Sequence, residues 1–132
     1  MRIFLALFIA LFCLSLLTYR NSLRGEFIRE DSVYLLNPEF RVPPDALWKS
    51  FVPRPDDNFY RPLTRLYNSV TYSLFGETIL PHRLLNIAFL ALAGVLIAFL
   101  IHGLTGDFRP ALLAALLFCI HPINSTPVHY IS

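Results

Sequence analysis

Three stretches of the chain carry no charged residue: Ile3–Leu17, Leu84–Ile101 and Ala111–Ile120. The second is about 18 residues long, enough for a helix to cross the hydrocarbon core of a bilayer. The first and third are short for a span and need flanking residues to complete one. The pattern predicts a first transmembrane helix over residues 1–19, a second over 84–102 and a third within 110–132, which also begins the next external segment. Residues 103–109 form a tight cytoplasmic connection, short enough to force the second and third helices into antiparallel packing. Pro110 falls in the first turn of the third helix, where its missing N–H costs nothing.

Residues 20–83 form a long polar connection instead. Its first part is rich in proline (Pro38, Pro43, Pro44, Pro53 and Pro55), which favours extended or turning chain. Further on, a helix is predicted over about 62–75, because Pro62 marks a start and Gly76 is a natural residue just past the end. Leu63, Leu66, Tyr67, Val70, Leu74 and Phe75 fall on one side of it at helical spacing. Thr64, Arg65, Asn68, Ser69 and Ser73 populate much of the rest. An amphipathic helix between two spans lies along the membrane interface, or packs the same face against neighbouring protein. The expected fold is an all-α membrane protein with three transmembrane helices and a long first external loop carrying an amphipathic interfacial helix.

Composition agrees with that expectation. Of 132 residues, 55% are hydrophobic and only 15% charged, with a mean hydropathy of +0.55. A soluble domain of this size has too little interior to hide that much apolar surface. Arg2 followed by an apolar run fits a signal peptide, but no small-x-small site precedes Thr18-Tyr19-Arg20, so the segment reads as an uncleaved anchor. Cys13 and Cys119 lie inside apolar runs and read as small buried hydrophobes, not as a disulfide or a metal site. The net charge of +2 is too small to suggest nucleic acid, and no basic cluster interleaved with aromatics stands apart from the apolar segments, so no nucleic-acid partner is expected. No P-loop, GxGxxG, paired CxxC or HExxH occurs.

Charge gives an ambiguous topology. The long connection holds nine of the eleven basic residues and eight of the nine acidic ones, while residues 103–109 hold one basic residue. A positive-inside count would place the long connection in the cytoplasm, yet that rule weakens for long loops and here acids nearly cancel bases.

The candidate chemistry begins at Glu30-Asp31, adjacent carboxylates a short way beyond the first apolar run. Charge near a bilayer is costly and invites a functional explanation; a solvated loop dyad is the bland one. Four stretches then follow in order: Phe27-Ile-Arg-Glu-Asp31 with Leu36-Asn-Pro38, Tyr60-Arg-Pro-Leu-Thr64, Pro81-His82 with Asn86, and Phe118-Cys-Ile-His-Pro122. Together they resemble the N-terminal part of polytopic GT-C glycosyltransferases, above all the protein O-mannosyltransferase-like group whose members often carry tetratricopeptide repeats. The resemblance covers roughly residues 25–132. It implies partial GT-C architecture and transfer of a sugar, mannose in that group, from a polyprenyl- or dolichyl-phosphate donor to a hydroxyl acceptor on protein, lipid or glycan. It also places residues 20–83 on the non-cytoplasmic face of a bacterial inner membrane or of the endoplasmic reticulum.

By that resemblance one carboxylate is the base that takes the acceptor's proton, Asp31 first and Glu30 second, with like-charge repulsion raising its basicity. The alternative is that one of them helps hold a divalent metal such as Mg or Mn through oxygen ligands. Arg61 is the candidate for the donor phosphate, since a guanidinium grips phosphate oxygens bidentately, and Arg65 lies one turn further on. A headgroup contact or surface ion pair is the competing use of Arg61. His82 and Asn86, four apart at the mouth of the second span, line the site or anchor the interface. His121-Pro122 breaks or reorients the third helix, with His121 facing the site or satisfying freed backbone groups. Where many relatives carry Glu five residues beyond the motif His this chain has Thr126, and Leu90 stands where they often have His. Three helices are too few to enclose donor, acceptor and carboxylate, so the expected activity is that of an N-terminal fragment, inactive alone, of a larger enzyme. Two other classes remain: a non-catalytic membrane accessory protein that binds a partner through its amphipathic helix, and a piece of a transporter or channel. The latter would need a polar residue deep in a span, and Leu84–Ile101 offers only Asn86.

Overall fold

The computed structural model describes residues 2–24, 42–53 and 60–129. These residues form helices α1 (Arg2–Thr18), α2 (Pro62–Phe75), α3 (Ile79–Thr105), α4 (Phe108–Ile120) and α5 (Ser125–His129). Short 3-10 segments occupy Arg20–Arg24, Pro44–Phe51 and Pro122–Asn124, and no strand occurs among the described residues. The fold is all-α. It divides into two compact units, one built from α1, the Arg20–Arg24 turn and residues from Arg83 to His129, the other from the described residues between 42 and 82.

Local chemistry sets the helix ends. α3 begins at Ile79, ahead of the charge-free run, because Pro81 sits in its first turn, where no intrahelical N–H is required. Gly106, at φ 70°, closes α3 by donating its N–H to His102 O at 2.8 Å. Asp107 then caps α4, its carboxylate accepting from the Arg109 amide at 2.9 Å. The connection between α3 and α4 is thus two residues long. At 27 residues α3 is about 40 Å in length, and among the described residues it alone is long and apolar enough to cross a membrane. α1, with 17 residues, is apolar but shorter. α4 reaches that standard only together with the Pro122–Val128 segment, which is bent from it by 50°.

Pairwise contacts fix the direction of each helix in the first unit. Along α3, His102, Gly94 and Leu90 meet Phe108, Cys119 and again Cys119 of α4, so the two run antiparallel. Phe4 meets Phe99 and Leu11 meets Gly94, so α1 is also antiparallel to α3 and therefore parallel to α4. Leu7, Leu11, Ala91, Val95, Ala98, Ala111, Ala115 and Cys119 share the core. At Gly94 the helices come close: a Cβ there would lie 2.7 Å from Cys119 Sγ and 3.1 Å from Leu11 Cδ1. Cys119 is buried as expected, but Cys13 is exposed. The inward face of α1 is Leu7, Leu11 and Ser15, spaced by four, and Cys13 falls roughly 200° from Leu11 on the opposite side.

The second unit is organised the other way. The Pro44–Phe51 segment packs on α2, and what they bury is mostly small or polar: Val42, Ala46, Ser50, Asn68, Ser69 and Thr71. The Val42 amide donates to Ser69 Oγ at 3.0 Å, and Thr71 Oγ1 donates to Tyr67 O at 2.9 Å. Leu63 and Leu74 point away, on the side of α2 that carries most of its apolar residues.

Candidate functional site

Glu30 and Asp31 lie outside the described residues. The remaining predicted site residues fall into the two units, each with its own local partners.

In the second unit Arg61 is the N-cap residue of α2 and is exposed; its side chain makes no capping bond. Pro62 at the first helical position, with its fixed φ, is what starts the helix here. Arg65, one turn on, is half-buried and donates from Nη1 to Val52 O at a long 3.4 Å. The two guanidinium stems therefore leave the same end of α2, where the unsatisfied amides of the first turn add partial positive charge. That end suits an anion.

His82 has a different environment. It is fully buried, one of its ring nitrogens (Nε2) lies 3.1 Å from Gly76 O, and its ring meets the Phe75 ring edge-on at 6.0 Å. As the carbonyl can only accept, Nε2 carries the proton in this contact. Gly76 adopts φ 58° and ψ −135°, a conformation open essentially to glycine alone, and its N–H donates to Tyr72 O at 2.8 Å. His82 thus ties down the turn that leads from α2 into α3. Tyr67, in the same unit, is pushed up to about 12 from the usual 10.0 because burial disfavours the phenolate.

In the first unit Asn86 lies half-buried on α3, one turn beyond His82. His121 ends α4 and its ring is exposed. Nδ1 accepts the Ile123 amide at 3.2 Å, so the side chain caps the 3-10 turn that Pro122 opens. This use of the ring satisfies freed backbone groups, and it leaves Nε2 as the face His121 shows to its surroundings. The His121 carbonyl accepts from Tyr19 OH at 3.0 Å, and Ser22 Oγ donates to Val128 O at 3.5 Å. Asn124, buried beside them, donates from Nδ2 to Phe118 O at 2.6 Å. Tyr19, Ile87, Leu90 and Val128 close this end of the bundle as a second apolar cluster.

No protein-family model, curated protein or solved structure matches the chain. The residues themselves must carry the interpretation. Among the described residues no three His, Cys, Asp or Glu side chains come together as a metal group. The sequence reading passed over three features. Arg83 is fully buried at the start of the bundle portion of α3, a costly placement for a guanidinium that demands compensating polar partners. Its signal was available, as a charge at the very edge of an apolar run. Tyr19 and Asn124 tie the helix ends together through partners 102 and 6 residues away in sequence, respectively, and only the former is invisible to local pattern.

Proposed function

We propose that the chain is part of an integral membrane glycosyltransferase that moves a sugar from a polyprenyl- or dolichyl-phosphate donor to a hydroxyl acceptor. The membrane half of this reading is supported by the distribution of side-chain size. Large apolar residues on the bundle point outward, among them Leu96, Phe99, Leu113 and Leu117 at 59%, 61%, 59% and 55% exposed, while alanine, glycine and cysteine share the interior with Leu7, Leu11 and Val95. Leaving a large apolar side chain in water forgoes about 1.5–3 kcal/mol. About a dozen such residues forgo more than the about 5–15 kcal/mol by which a domain is stable. In lipid the cost vanishes, and small residues at helix contacts are how helices associate there. α1, α3 and the α4–α5 pair would then be the three membrane-crossing elements.

The catalytic half rests on the ordered motifs and on one geometric observation. Tyr19, where the long connection leaves α1, donates a hydrogen bond to the carbonyl of His121, so the start of that connection and the His121-Pro122 break share one end of the bundle. In this reading Asp31 takes the proton from the acceptor hydroxyl as its oxygen attacks the anomeric carbon, with Glu30 as its neighbour. The departing phosphate receives the negative charge, and Arg61 with Arg65 stabilises it. Residues 20–83 face the non-cytoplasmic side, where the resemblance places the reaction. A second reading, a membrane accessory protein that binds a partner, is favoured by the outward leucines of α2.

Transfer from a radiolabelled polyprenyl-phosphate sugar, by the protein in its native membranes, separates the two. Removal of a general base costs about 10²–10⁴-fold in rate. Asp31→Asn should lose activity on that scale while still binding donor lipid, with Glu30→Gln affected less. Full transfer by both variants at matched expression would remove the acidic pair from the chemistry.

A further inference from the structure

The second unit leaves several large apolar side chains exposed. Around the junction of the Pro44–Phe51 segment with α2, Trp48 is 65% exposed, Tyr60 57% and Leu63 71%, with Phe51 and Val52 also exposed. These residues are held together: Tyr60 OH donates to Phe51 O at 2.8 Å and Arg65 Nη1 to Val52 O at 3.4 Å. Trp48 and Phe51 are three apart in a 3-10 segment of three residues per turn, so they share a face. Ala46, at φ −131°, is non-helical and interrupts the segment before them. Lys49 Nζ lies 5.9 Å from the centroid of the Trp48 ring, and Arg61 and Arg65 flank the same junction.

We infer that this surface is a membrane-interface anchor, with Trp48, Phe51, Tyr60 and Leu63 seated at the headgroup–acyl boundary and Lys49 among anionic headgroups. Three observations name lipid as the occupant. The interior of the unit is already filled by Val42, Ala46, Ser50, Asn68, Ser69 and Thr71, so none of its own described elements covers the aromatic face. Tryptophan and tyrosine with adjacent basic side chains are the chemistry of the bilayer interface, where an apolar ring body and a polar edge are both satisfied. Lys49 adds attraction to an anionic surface, about 1 kcal/mol for a basic residue near it. Finally, only Gly76–Thr78 separate α2 along the chain from α3, the helix long enough to cross a membrane. The inference rests on the membrane half of the proposed function and is independent of sugar transfer.

Trp48 is the sole tryptophan, so its fluorescence reads this site alone. The full chain is reconstituted in vesicles of phosphatidylcholine and phosphatidylglycerol, and carbonate extraction confirms insertion separately. The expected result is a blue-shifted emission, poor quenching by acrylamide, and stronger quenching by lipids brominated near the headgroup than by lipids brominated at the chain end. Omitting phosphatidylglycerol should weaken the bromolipid quenching. A Trp48→Phe/Phe51→Trp variant should report the same depth, which guards against a local effect of one ring. Strong acrylamide quenching with no bromolipid quenching, in vesicles from which the chain is not extracted, would overturn the anchor. So would a blue shift insensitive to both quenchers, which would assign the face to a protein contact, with a second copy or another partner. Strongest quenching from the chain end would overturn it too, by placing the ring in the acyl core.

Discussion

The two units of this chain solve the same problem with opposite materials. The bundle of α1, α3 and α4 is held by close approach: Ala91, Gly94, Ala98, Ala111, Ala115 and Cys119 let backbones come together, and few side-chain hydrogen bonds are needed. The unit around α2 is held by polar groups: Ser69 satisfies a backbone amide of the opposite segment and His82 fixes a glycine turn. Both leave large apolar side chains outside. On the proposed membrane reading, the difference shows what burial means when the surroundings are not water. Where hydrocarbon surrounds a helix, apolar burial gains little and packing shape decides the contact. Where the chain meets the wetter interface, directional hydrogen bonds remain worth making.

The sharpest way to break the bundle is to fill Gly94. In Gly94→Val the new Cβ meets a buried Cys119 Sγ at 2.7 Å, and overpacking of this kind costs about 1–3 kcal/mol, occasionally more. Valine is preferable to alanine as the test, because alanine recovers about 1 kcal/mol of helix propensity over glycine and masks the clash. Unfolding in bicelles, followed by circular dichroism, should show the loss, and adding Cys119→Ala should restore part of it. Equal stability of Gly94→Val and wild type would mean that the helices do not meet there.

The corresponding break in the other unit removes a hydrogen bond rather than space. Ser69→Ala strands the buried Val42 amide, at a cost of about 1–3 kcal/mol for an unsatisfied donor. Hydrogen exchange should show faster exchange at Val42 and across Pro44–Phe51, with α3 and α4 unchanged. Uniform acceleration through both units would deny their separate character.

The smallest effect is a titration. Tyr67 holds its proton up to about 12 in the folded chain, because burial disfavours the phenolate, against 10.0 in the unfolded one. Its contribution to stability is therefore complete below about pH 10 and is lost as pH rises from there through 12. In an ultraviolet titration Tyr67 should ionise late, and Tyr67→Phe should remove one tyrosine's worth of the late change.

How much of this was written in the sequence varies from residue to residue. The helical class and the long apolar helix follow from the charge-free run at Leu84–Ile101, and Pro62 and Gly76 bracket α2 because each residue has one well-defined conformational use. The start of α3 at Ile79 is less legible, since Pro81 is tolerated in a first turn but equally common in loops. The direction in which α2 faces is set by tertiary contacts: its periodicity marks an apolar side, but not whether protein or surroundings meet that side. The exposure of Cys13 needs the rotational phase of α1, which an all-apolar helix does not reveal. At the candidate site, the roles of His82 and His121 as ties to backbone groups depend on a turn and a helix break whose geometry no motif encodes. Glu30 and Asp31 remain known by their place in the sequence.

The membrane interpretation can be read on the unmodified chain by photolabelling from lipid. In bilayers carrying a diazirine on the acyl chain, mass-spectrometric mapping should find insertion at Leu96, Phe99, Leu113 and Leu117, and none at Ala91, Ala98 or Ala115. Hydroxyl radicals generated in the water phase should spare all seven positions. Lipid label absent from the four large residues, with radical oxidation at those same residues, would contradict a bundle whose outward face is solvated by lipid.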